Sequence, residues 1–236
     1  MAKLRNKLVV TTKPRSYRYH KKYWDNFPLH FTYLSDRTTK PSFDVGLHYD
    51  QDMVREDLFL EQEDILQSYM PMCLYYHMKP DFEHYWFVED NVSIEDPVSF
   101  FEAFEDNDAD FISMYTFKEQ SVNTQPNIPK IDNRTDSGNG WFFNFPGEKD
   151  IMYPDTTDLF GSYMPIVRIS NNYLNRISSL TRMGLRGLSE GWLPTYINYF
   201  GGTLDTIFNS DSISEHFDQD KVSVKHKGCN VFWSFL

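Results

Sequence analysis

Short apolar runs alternate with stretches of helical period along the chain. Residues 8–12 run from Leu8 through Val10 to Thr12 and predict a buried strand, which Lys13-Pro14-Arg15 ends. Residues 17–26 predict a short aromatic-rich helix. Residues 31–34 predict a second strand closing on Ser35-Asp36, and the polar, proline-containing stretch 37–44 a loop. Over 52–78, Met53, Leu58, Leu60, Ile65, Leu66, Met70, Leu74 and Met78 recur near helical spacing, and Pro71 kinks or splits that helix. Residues 85–88 are a compact apolar strand. Asp96-Pro97 starts a helix, with Asp as N-cap and Pro at the first helical position, turning Val98, Phe101 and Phe104 inward. Residues 110–115 predict another strand.

The stretch 118–140 carries Pro126, Pro129, Gly138 and Gly140 with no periodicity, and a loop of that length in a compact domain reads as disordered or as a lid. Residues 141–145 and 163–169 predict strands. Ser170 caps an amphipathic helix reaching about residue 183, with Gly184 as its C-cap. Residues 194–200 predict a short helix that starts at Pro194 and ends at Gly201, and 222–236 contain a strand. The alternation predicts the α/β class. No internal repeat and no linker divides the chain, so 1–236 reads as one domain.

Composition narrows the picture. The 236 residues are 17% aromatic, enough for a substantial core. The net charge of −11 opposes broad binding to nucleic acid. Two cysteines, Cys73 and Cys229, build no disulfide framework and fit a reducing compartment. No apolar run reaches the roughly 18 residues of a membrane span, and the three-residue run 8–10 is too short for a signal peptide. Two sequons are present, at Asn91 and Asn133. The first lies inside the chemical site argued next, where a glycan would obstruct it. These points together predict a cytoplasmic location.

The sharpest chemical feature is Tyr85-Trp86-Phe87-Val88-Glu89-Asp90-Asn91, an apolar strand that delivers oxygen ligands at its carboxyl end. Ligands of open α/β sheets bind at such ends, and Mg²⁺ or Mn²⁺ takes one or two carboxylates plus substrate phosphates. An ordinary acidic turn after a strand has the same composition. Arg15 and Arg18, just past the first strand, fit phosphate contacts or a solvated surface pair.

The run Trp86-Phe87-Val88-Glu89-Asp90-Asn91 resembles the DxD-type motif of nucleotide-sugar glycosyltransferases of the GT-A fold, often Glu-Asp-Asp after such a strand. The order of elements, the segment Ser189-Glu190-Gly191-Trp192-Leu193-Pro194-Thr195 and the late His226-Lys227-Gly228 are similar to that family too. The resemblance covers most of the chain in outline and implies a GT-A-like domain. Its central sheet would be mixed and mostly parallel, flanked by helices, with a nucleotide-binding half over about 1–115 and an acceptor-binding half over about 116–236. It implies that Thr11, Thr12, Arg15 and Asp36 hold the nucleotide. Glu89, Asp90, Asn91 and His226 would manage a Mn²⁺ or Mg²⁺ ion and the diphosphate. Asn91 departs from the family's usual Asp; it offers a carbonyl oxygen without charge, which weakens or removes metal dependence.

The activity so implied moves a sugar from a nucleotide-sugar, a UDP-sugar by resemblance, to a hydroxyl of a glycan or glycoprotein. Glu190 is the candidate base of an inverting transfer and Trp192 a surface for stacking sugar. Plainer uses exist for each: Glu190 as an acid at a helix N-terminus, Asp36 as a turn starter, and His226 as one of seven histidines. Two rival functions remain. A nucleotidyltransferase acting on a sugar phosphate uses the same kind of sheet, although residues 11–15 lack the glycine that a triphosphate loop favours. A non-catalytic glycan-binding module would suit the aromatic content and Asn91.

Overall fold

The structure is a computed structural model and describes residues 6–11, 30–36, 47–49, 81–89, 92–118, 158–183, 189–208, 217–218, 221–226 and 229–234. The helices expected over 17–26 and 52–78, the strand over 141–145, the loop beyond Lys118 and the Gly184 cap lie outside those residues.

The first three strands are β1 (Asn6–Thr11), β2 (His30–Asp36) and β3 (Leu47–Tyr49). β4 (His84–Glu89) and the short β5 (Val92–Ile94) precede α1 (Pro97–Glu102) and β6 (Phe111–Lys118). β7 (Phe160–Ser170), α2 (Asn171–Arg182), α3 (Ser189–Tyr199) and β8 (Leu204–Thr206) follow. β9 (Phe217–Asp218), β10 (Lys221–His226) and β11 (Cys229–Ser234) close the order. The strands expected near 8–12, 31–34, 85–88, 110–115, 163–169 and in the tail are therefore present. β3, β5, β8 and β9 are too short to show a period in the sequence.

The chain is α/β, with a mixed sheet flanked by helices. Among the described residues the main sheet has seven strands in the order β3-β2-β1-β4-β7-β6-β8. β1 pairs parallel with β2 and β4, β2 with β3, and β6 with β8. Only β7 runs against its neighbours, β4 and β6. A second sheet, of four described strands, has the order β5-β11-β10-β9.

Strand alternation divides the apolar residues between two layers. Tyr85 and Phe87 of β4 pack on one face with Tyr173, Leu174 and Ile177 of α2 and Trp192, Leu193, Tyr196 and Ile197 of α3. Trp86 and Val88 pack on the other with Val92, Ile94, Phe100, Phe101 and Phe104. Trp86 lies edge-on to Phe101 and Phe104, with centroids 5.1 and 5.5 Å apart. Arg168 of β7 is fully buried in this second layer. Its guanidinium sits 5.7 Å from the Trp86 ring and donates to the carbonyls of Phe104, Asn107 and Ala109, pinning the turn between α1 and β6.

Both expected N-caps form. Asp96 accepts from the Ser99 amide at 3.1 Å and Ser170 from the Tyr173 amide at 3.5 Å. Phe101 and Phe104 are buried as expected, but one inward position of α1 is corrected: Val98 stays partly exposed and Phe100 is buried in its place. The third helix is also corrected, because α3 begins at Ser189 and holds Pro194 in its interior. Among the described residues no helix is long and apolar enough to cross a membrane.

Candidate functional site

The sheet order reverses at β1. The chain lays β1, β2 and β3 outward on one side and returns to place β4 on the other. This is a topological switch point, and the crevice outside the carboxyl ends of the two flanking strands is where open α/β sheets bind ligands. The register puts Thr11, the last residue of β1, level with Glu89, the last of β4. Strand spacing sets these two backbones about 5 Å apart. β2 runs two residues further, since Thr11 is level with Leu34, so Asp36 ends on the same edge. Thr11, Asp36 and Glu89 thus end three neighbouring parallel strands on the switch-point edge. Thr12, Arg15, Asp90 and Asn91 lie outside the described residues.

The antiparallel strand brings further groups to this edge. β7 starts there, with Phe160 paired to Lys118 at the end of β6. Lys118 forms an ion pair with Asp158 at 2.5 Å. Val88 is level with Ile166, and the β6–β7 register slips between the Ser113–Val167 and Tyr115–Tyr163 pairs. Three residues of β7, Met164, Pro165 and Ile166, thus face Met114 alone. Pro165 has no N–H to give to a ladder, so an irregular step is where a central strand tolerates it. Tyr163 lies immediately before the step.

Tyr163 is the residue on which two of the sequence candidates act. Burial is the largest influence on its phenol, followed by the negative charges of Glu89 and Glu190, and all three push its pKa far above the ordinary tyrosine value. One carboxylate comes from the end of β4 and the other from the first turn of α3. Glu190 is itself shifted: burial raises its carboxyl above the usual glutamate range, against the opposing effect of a hydrogen bond from Ser189 Oγ to Oε2 at 2.9 Å. Its place in the first helical turn also matches the plainer expectation of an acid at a helix N-terminus.

Trp192 is corrected. Its side chain has no exposed surface and packs in the layer formed with α2, 4.5 Å from the Tyr196 ring. Two residues beyond Glu190 on a helix, it faces the core, so it offers no face to a sugar. His226 pairs with Cys229 at the turn of the β10–β11 hairpin. β11 meets β5 with Val231 at Ile94 and Trp233 at Val92. The described pairing of β11 with β5 covers Val231 to Trp233 only and does not include Cys229 or its partner His226.

Tyr163, Ser162 and Arg168 carry no motif, and sequence reasoning passed over them. Pro165 inside a strand pattern was the available signal of irregular geometry at that place.

No family model matches the chain, and no curated protein matches it. Among solved structures, it is similar to the inositol-1-phosphate CTP transferase from T. maritima, at 9% identity and a TM-score of 0.41, over 86% of each chain. It is also similar to A197 from STIV, at 10% identity and a TM-score of 0.34, over 99% of this chain and 95% of that one.

Proposed function

We propose that the chain is a nucleotide-dependent transferase, and that it moves a sugar from a nucleotide-sugar to a hydroxyl acceptor. The observation that carries this reading is the register at the switch point, where Thr11 at the end of β1 is level with Glu89 at the end of β4. The resemblance of the Glu89-Asp90-Asn91 run to a DxD-type motif supports the nucleotide-sugar. The GT-A form of the domain is part of the same proposal.

In this reading Thr11, Thr12, Arg15 and Asp36 bind the nucleotide, and the Glu89–Asn91 oxygens hold Mg²⁺ or Mn²⁺. Glu89 and Asp90 supply carboxylates and Asn91 a neutral carbonyl, a set of hard oxygen ligands suited to either ion. The cation offsets the charge of the diphosphate in a protein of net charge −11. Glu190 takes the proton of the acceptor hydroxyl as its oxygen bonds to the sugar's anomeric carbon. The bond from that carbon to the diphosphate breaks, and its electron pair leaves with the nucleoside diphosphate. A carboxyl whose pKa is raised by burial is a better base than one at the usual glutamate value.

A second reading is nucleotidyl transfer to a sugar phosphate, the kind of chemistry the T. maritima protein is named for. The two differ in what they require. A phosphate acceptor is already ionised and needs no base, whereas a hydroxyl does. Nucleotidyl transfer consumes a nucleoside triphosphate and releases pyrophosphate.

The test is thermal shift against UDP, GDP, CMP and ADP, each with and without Mn²⁺, followed by product analysis. A native-state ligand at about 100 times its Kd adds about 2.7 kcal/mol, or roughly 5–10 °C for a chain of this size. The expected result is a Mn²⁺-dependent shift with one nucleotide, abolished in Asp90→Ala, and turnover that releases nucleoside diphosphate and is lost in Glu190→Gln. Pyrophosphate release with Glu190→Gln still active establishes the second reading. No shift with any nucleotide removes both and leaves a glycan-binding module.

A further inference from the structure

An α-helical residue donates its N–H to the carbonyl four residues earlier. In α3 the residue four after Glu190 is Pro194, which has no N–H. The helix therefore cannot hold the Glu190 carbonyl from position 194. Ser162 of β7 reaches that carbonyl instead, its Oγ donating to it at 3.4 Å. The next residue of the helix repeats the attachment. Thr195 Oγ1 accepts from the Phe160 amide at 2.9 Å and donates to the Phe160 carbonyl at 3.1 Å. Ser162, Ser189 and Thr195 are all buried, so these contacts are shielded from competing water.

Taken together, the first half of α3 is fastened to the start of β7 by hydroxyl groups, at the point where a proline has opened the helix. Ser162 and Tyr163 are neighbours on β7. One holds the Glu190 backbone, and the other is the phenol on which the Glu190 and Glu89 charges act. We propose that Ser162 is a positioning residue for Glu190: its hydroxyl takes the place of the missing Pro194 N–H and ties Glu190 to the sheet edge that carries Glu89. This rests on the reading of Glu190 as the base. It adds why the base sits over a proline, since a carbonyl released by its own helix is free to be fixed by the sheet.

The test follows the Glu190 carboxyl directly, by carbon-detected NMR titration of the full chain with the signal assigned by its loss in Glu190→Gln. In the wild type it is expected to titrate above the ordinary glutamate value of about 4.3. Ser162→Ala is expected to move the midpoint down toward that value, as the first turn of α3 relaxes to solvent. Ser162→Thr keeps the hydroxyl and the wild-type midpoint. Adding Pro194→Ala to Ser162→Ala supplies a helical N–H and returns the midpoint upward. Ser162→Cys, with a similar shape and a weak donor, carries the same comparison if the alanine variant does not fold. A lower Tm with an unchanged midpoint in Ser162→Ala, or in Ser162→Cys in its place, makes Ser162 a packing residue only and overturns the proposal. Turnover of Glu190→Gln judges the base reading separately, because that comparison does not involve Ser162.

Discussion

Glu190 shows how one residue meets conflicting demands. Its helix-terminal place favours a negative charge, while burial disfavours it, and burial prevails. The sign of the consequence follows from linkage. The folded state holds the Glu190 proton more tightly than the unfolded chain does. Stability is therefore unpenalised below the unfolded value of about 4.3. It falls as pH rises from there through the raised folded value, and above that it stays at the lower level. Glu190→Gln removes the penalty. Its Tm is expected to gain on the wild type as pH rises through that window and to hold a constant lead above it, when both proteins are melted in steps from pH 4 to 8. A difference independent of pH would show that desolvation of Glu190 is not the cause. Glu190 and Glu89 both act through their charges on the Tyr163 phenol. The candidacy of Glu190 was legible from its place beside glycines and Trp192, but its environment was not, because Ser162 lies 28 residues away.

At the scale of elements, local chemistry was readable where it acts within a few residues. The caps at Asp96 and Ser170 and the stop at Gly201 depend on near neighbours only. Gly201 has φ 80° and Gly202 follows it, with Gly201 N–H bonded to the Asn198 carbonyl and Gly202 N–H to the Ile197 carbonyl, the Schellman pattern. The two glycines serve different needs. A Cβ on Gly201 meets nothing within 4 Å, so only its backbone angle resists substitution. A Cβ on Gly202 would come within 2.6 Å of Tyr173 Cζ and 2.9 Å of the Ile197 carbonyl. Gly202→Ala is expected to cost about 1–3 kcal/mol. Gly201→Asn, which tolerates the left-handed region, should cost less than Gly201→Ala; chemical denaturation orders the three. The start of α3 was misread because proline is favoured at a first helical turn. Nothing near Pro194 in sequence reveals that a serine on another strand replaces its hydrogen bond.

Across the whole molecule, the second sheet meets the first through β5. β5 begins three residues after Glu89, and its Val92 and Ile94 are buried in the same layer as Trp86 and Val88. Through these two residues β5 packs into the core of the first sheet. Ile94→Ala is expected to cost about 2–5 kcal/mol and to leave one unfolding transition in urea, followed by fluorescence and far-UV dichroism together. Two separate transitions would mean that β5, β9, β10 and β11 fold apart from the main sheet.

By itself the sequence determined the class of the fold, most strands of the main sheet, the helix caps and the run that ends in Glu89-Asp90-Asn91. Each depends on periodicity or on neighbours a few residues apart, and such interactions are written in consecutive positions. The tertiary structure alone decided the reversal of strand order at β1, the level register of Thr11 with Glu89, and the hydroxyl contacts that fasten α3 to β7. It also buried Trp192 and paired His226 with Cys229 in the β10–β11 hairpin. These are outcomes of long-range pairing and packing. A burial layer or a strand register is fixed by the sum of many contacts between distant segments, and no short stretch of sequence contains that sum.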